Sequence, residues 1–166
     1  MKELSLLPLL NAALVTDLIV ISLFLLGVLP SVSLGRWYKS FHLGAVIMDV
    51  LVLALVVLLA HYLYPFVFGS VYSIWKFGAL AVGIQLVHDL LFAGFFYQFQ
   101  KGSSRLVDIL QSYMSEQGTK VLVADALMIL STVGFERLFS GALTGMQQSI
   151  LAIILVYVTP YLVFSV

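Results

Sequence analysis

Four aspartates, Asp17, Asp49, Asp89 and Asp125, stand inside long apolar runs, in the contexts TDLIV, MDVLV, HDLLF and ADALM. A carboxyl in such surroundings can hold a proton, bind a cation, or work with a second carboxyl as general acid and base. Facing lipid, four of them would cost on the order of 10 kcal/mol. They must therefore face one another, a cavity or polar partners. Helical spacing supplies companions: Gln85 precedes Asp89 by one turn, His42 precedes Asp49 by two, and His88 adjoins Asp89. The remaining acids, Glu3, Asp108, Glu116 and Glu136, fall at ends or in links. Glu136 with Arg137, and Lys76, read as interfacial anchors, and His61 sits near a helix end.

The elements that must position these residues follow from composition. With 62% hydrophobic and 10% charged residues in a chain of 166, the sequence lies far from the soluble balance. Its apolar runs are long enough for a hydrocarbon core of about 30 Å and do not alternate as barrel strands do. The fold class expected is all-α: a polytopic transmembrane helical bundle with about five spanning helices and one amphipathic interfacial helix, forming a single transmembrane domain over 1–166. The spans are read at 4–29, 41–64, 77–96, 119–139 and 146–166. Pro30 and Pro65 end the first two and Pro160 kinks the last. The first run is too long for a secretory signal and lacks a small-x-small cleavage site, so it reads as an anchor. Residues 31–40 read as a polar link whose Arg36, Trp37, Tyr38 and Lys39 belong at the headgroups. Residues 103–117 carry Leu106, Ile109, Leu110, Tyr113 and Met114 at helical spacing, with Ser103 or Ser104 as cap and Gly118 as stop.

Alternating helix directions place the links 31–40 and 97–118 at one end of the bundle. That end holds Arg36, Lys39, Lys101, Arg105 and Lys120, against Lys2, Lys76 and Arg137 at the other, which favours the first as the cytoplasmic side. Measured from this basic end at about 1.5 Å per residue, Asp49, Asp89 and Asp125 lie about 9 to 12 Å deep and Asp17 about 18 Å. Three carboxylates, with a fourth deeper, are thus expected to share a layer. The eight acidic and eight basic residues leave no net charge, so no nucleic-acid surface is indicated, and the absence of cysteine removes disulfides, thiol chemistry and Cys-ligated metals. The partners expected are the lipid bilayer, protons or a cation, and further copies of the chain. No cofactor is indicated, and the pattern does not identify a metal.

The runs WYKSFHLGAVIMDVLVLALVVLLAHYLYPF, SIWKFGALAVGIQLVHDLLFAGFF and LVDILQSYMSEQGTKVLVADALMILSTV resemble an uncharacterised multi-pass membrane protein family of large (giant) DNA viruses of algae and protists, over 36–166. The resemblance implies a host internal membrane or a virion inner membrane and carries no activity or site residue with it. Three functions remain open. The aspartate layer binds or conducts protons or a cation; or the protein organises a membrane and the aspartates specify helix packing; or an aspartate pair serves an intramembrane hydrolase. The Gly-x-Gly-Asp element of membrane aspartyl proteases, the Asp-Gly motif of head-group transferases and the mid-helix lysine of retinal proteins are all missing from the sequence.

Overall fold

Runs of Leu, Ile, Val and Ala broken only at widely spaced Pro and Gly satisfy their backbone polar groups internally as helices. The computed structural model describes residues 4–166; Lys2 and Glu3, which enter the charge count, lie outside the described residues. The chain forms α1 Leu6–Leu25, α2 Val32–Phe41, α3 Leu43–Phe68, α4 Ile74–Phe96, α5 Arg105–Gln117, α6 Thr119–Ala142 and α7 Gly145–Val163, with no strand among the described residues. Among the described residues four helices, α1, α3, α4 and α7, are long and apolar enough to cross a membrane. The fifth long helix, α6, has 24 residues, but Lys120, Asp125, Glu136 and Arg137 lower its apolarity.

Several boundaries differ from the sequence reading, and three of them have a clear local cause. Pro30 does not end α1. The helix stops at Leu25, where Gly27 takes φ +73° and the N–H groups of Gly27 and Val28 close back onto Phe24 and Leu23, both at 2.9 Å, a Schellman turn that needs glycine's left-handed freedom. The expected polar link 31–40 is instead α2. Ser31 caps it by accepting from Leu34 N at 3.1 Å, and Leu34, Trp37, Tyr38 and Phe41 fall on one apolar face. At the end of α3, the helix runs past Pro65 to Phe68; only the bond to the His61 carbonyl is lost, one turn before the helix stops.

Each amphipathic helix joins the long helix after it through a single left-handed residue, His42 between α2 and α3 and Gly118 between α5 and α6. The units α1–α2–α3 and α4–α5–α6 therefore share one plan, and α2 and α5 pack on each other over the same end of the bundle. Glu116 at the end of α5 joins them by accepting from Val32 N at 3.0 Å and Ser33 N at 2.8 Å, the free donors at the start of α2.

The centre of the bundle is α1, which packs against α6, α7 and α3. Its Leu9, Ala12, Ala13 and Ile21 are fully buried, the small residues letting neighbouring backbones approach. Ile47, Leu51 and Leu55 of α3, Leu90 and Leu91 of α4, and Ile153 and Ile154 of α7 point outward. An outer surface of this kind suits acyl chains rather than water.

Candidate functional site

Asp17 lies eight residues inside α1 from Leu25, Asp49 six inside α3 from Leu43, Asp89 seven inside α4 from Phe96, and Asp125 six inside α6 from Thr119. At 1.5 Å per residue all four sit about 9 to 12 Å below the end covered by α2 and α5. The expectation of a deeper Asp17 is corrected: it rested on a helix running to residue 29, and the turn at Gly27 shortens that distance.

The best-defined part of the layer is built around α2. Asp17 is fully buried, and its Oδ1 accepts from the Tyr38 hydroxyl at 2.9 Å. The same hydroxyl is 3.4 Å from Asp49 Oδ2, which also accepts from Trp37 Nε1 at 3.0 Å. Burial, then the Asp17 and Asp49 carboxylates, push the Tyr38 phenol well above its ordinary range. It therefore keeps its hydrogen across the whole working pH range and remains a donor. Asp17 Oδ2 is buried without a partner.

In the other half of the layer, Gln85 Nε2 donates to Asp89 Oδ1 at 2.6 Å and His88 Nδ1 lies 3.1 Å from the same oxygen. Asp89 Oδ2 and Gln85 Oε1 are buried without partners. Asp125 is half-buried on α6. Tyr113 of α5 faces the group: burial pushes its phenol up, and the carboxylates of Asp125, Asp49, Glu116 and Asp89 push it the same way. Each unit thus supplies two aspartates from its long helices and a tyrosine from its amphipathic helix.

His42 does not join Asp49. As the junction residue with φ +46° it lies outside the helix that would align the two, is exposed, and stacks on Phe164 with ring centroids 4.7 Å apart. Among the described residues, no group of three or more His, Cys, Asp or Glu side chains is arranged to hold a metal ion. The partners the aspartates do have, Trp37 N–H, Tyr38 O–H and the Gln85 amide, are donors.

Several contributors carry no site signal in the sequence. Trp37 and Tyr38, headgroup residues by sequence, are both buried and bond to the aspartates. Asn11 Nδ2 donates to the main-chain oxygen of Gln148 at 2.9 Å and to its Oε1 at 3.0 Å, and Gln148 Nε2 donates to Phe139 O at 2.7 Å, tying α1, α6 and α7 together. The Thr16 and Thr132 hydroxyls meet at 3.1 Å across α1 and α6. Glu136, expected as an interfacial anchor, is 4% exposed, because α6 continues past it to Ala142 and turns it inward. No family model, curated protein or solved structure matches the chain.

Proposed function

We propose that the protein is a multi-pass membrane protein that binds and transfers protons at its aspartate layer, crossing the bilayer five times with α6 as the fifth span. At 24 residues, α6 is about 36 Å long, enough for the core. Its Asp125, Glu136 and Arg137 are buried or half-buried rather than directed at lipid. The five basic side chains at the α2–α5 end, Arg36, Lys39, Lys101, Arg105 and Lys120, are all exposed, which favours that end as cytoplasmic.

One observation carries the proton reading. The Tyr38 hydroxyl lies 2.9 Å from one carboxyl and 3.4 Å from another, and a phenol has a single hydrogen to give. Both contacts are satisfied together when one aspartate is itself protonated and donates to the phenol oxygen. Asp17, fully buried and with one oxygen unpartnered, is the better carrier of that proton. Asp49, which has the Trp37 N–H as a second donor, is the better carrier of the charge. Moving the Asp17 proton to the phenol oxygen while the phenol hydrogen passes to Asp49 transfers one proton between two helices without net charge on the tyrosine. A donor-rich shell of this kind serves carboxyls that exchange protons; a bound cation calls for acceptors instead.

A second reading draws on the Asn11–Gln148 and Thr16–Thr132 contacts, which join helices and perform no evident chemistry. In it the protein organises a virion or host internal membrane and its polar groups specify packing. Proton flux into proteoliposomes under an imposed pH gradient separates the two. Wild-type flux that is lost in Asp49→Asn supports transfer. Flux at the level of protein-free liposomes in both supports the packing role.

A further inference from the structure

We propose that Glu136 is a second proton site in the opposite half of the bundle, so that the proton route crosses along the contact between α6 and α1. This rests on the proton-transfer reading above. Asp125, Thr132, Glu136 and Ser140 recur on α6 at intervals of seven, four and four residues, which keeps them within about 80° of one another at 100° per residue. They make one polar stripe on a helix whose neighbours include α1 and α4. Asp125 and Glu136 are about 16 Å apart along the axis, and Thr132 lies between them with its hydroxyl against that of Thr16, the residue preceding Asp17.

The surroundings of Glu136 suit a carboxyl that changes its protonation. Ser140 Oγ, able both to donate and to accept, is 2.7 Å from Oε1. Arg137 Nε is 3.6 Å from Oε2, longer than a charge-assisted bond of about 2.8 Å, and the guanidinium also lies over the Tyr72 ring, 4.3 Å from its centroid. Arg137 Nε is buried without a hydrogen-bond partner, so the guanidinium is balanced by the nearby carboxylate when Glu136 is charged and by the ring face alone when it is neutral. The titratable groups facing Glu136 are Arg137 on its own helix, His61 on α3, and Tyr72 in the connection to α4. Of the buried polar side chains on α1 and α7, Asp17 is titratable and Asn11, Thr16, Gln148 and Thr159 are neutral. An anchoring pair would need neither the burial of Glu136 nor its alignment with Asp125.

The test compares proton flux in proteoliposomes of wild type, Glu136→Gln, Thr132→Val and Asp49→Asn. The route requires Glu136→Gln and Asp49→Asn to fall to the level of protein-free liposomes and Thr132→Val to be slowed. Wild-type flux in Glu136→Gln alongside a silent Asp49→Asn overturns the route and leaves the aspartate layer standing, whereas a silent wild type overturns both. Infrared difference spectra of the folded wild type between acid and alkaline pH guard against loss of flux through misfolding. A carboxyl band identified by its absence in Glu136→Gln must respond to pH, and a band that stays fixed overturns the second site.

Discussion

The Tyr38 hydroxyl bonds to Asp17 Oδ1 at 2.9 Å, so a short helix lying over one end of the bundle reaches the most completely buried carboxyl in it. Tyr38→Phe keeps the ring and removes the hydroxyl that shares a hydrogen bond with Asp17 Oδ1. The expected cost is about 1 to 3 kcal/mol, the penalty for leaving a buried polar group unpartnered. Thermal or denaturant unfolding in detergent reads it, and an unchanged stability would show that the bond does not hold α2 to α1.

Glu116 fixes α2 from the other direction. Hydrogen bonds from Ser33 above all, and from Ser31 and Val32, hold its carboxyl down at about 2 against an ordinary 4.5. The folded form thus prefers the carboxylate. Its contribution is complete above the ordinary value and fades as the pH falls towards 2. In Glu116→Gln this part of the acid sensitivity should vanish, flattening the dependence of the unfolding midpoint between about pH 5 and 3. Equal slopes in wild type and variant would mean the contact stores no stability.

Among the described residues, Asn11 is the one side chain that bonds α1 to α7, through Gln148. Replacing it with leucine leaves Gln148 Oε1 without this donor in a buried setting, at an expected cost of about 1 to 3 kcal/mol. Urea or thermal unfolding of Asn11→Leu beside wild type measures the loss. A variant as stable as wild type would indicate that α7 is held by apolar packing alone.

The absence of cysteine from the sequence makes single-cysteine topology mapping clean. With five crossings, Lys39→Cys and Ser103→Cys react with an impermeant maleimide from one face of sealed vesicles, and Ser70→Cys and Thr144→Cys from the other. Labelling of Ser103 and Thr144 from the same face would remove α6 from the count of spans.

The long helices were legible because an uninterrupted apolar run has few other ways to satisfy its backbone, and the aspartates stood out against that background. Less visible was α2, whose Arg36, Lys39 and serines dilute a run of ten residues. Its apolar spacing at Leu34, Trp37, Tyr38 and Phe41 is nevertheless present and marks a helix with one buried face. Asn11, Thr16, Thr132 and Gln148 gave no comparable signal, since a lone amide or hydroxyl in an apolar helix becomes informative only once its partner on another helix is known. The sequence places Asp17 too deep because Pro30 looks like the stop, whereas Gly27, three residues earlier, supplies the left-handed turn.

The most direct measurement is infrared spectroscopy of the carboxyl C=O stretch in the reconstituted protein, comparing wild type with Asp17→Asn, Asp49→Asn and Tyr38→Phe. One proton shared across Asp17, Tyr38 and Asp49 gives a protonated-carboxyl band that Asp17→Asn abolishes and Tyr38→Phe shifts through loss of its hydrogen-bond partner. In Asp49→Asn that band persists while the proton can no longer be passed on. A wild type without any protonated-carboxyl band, or a band indifferent to both Asp17→Asn and Tyr38→Phe, would contradict the shared proton.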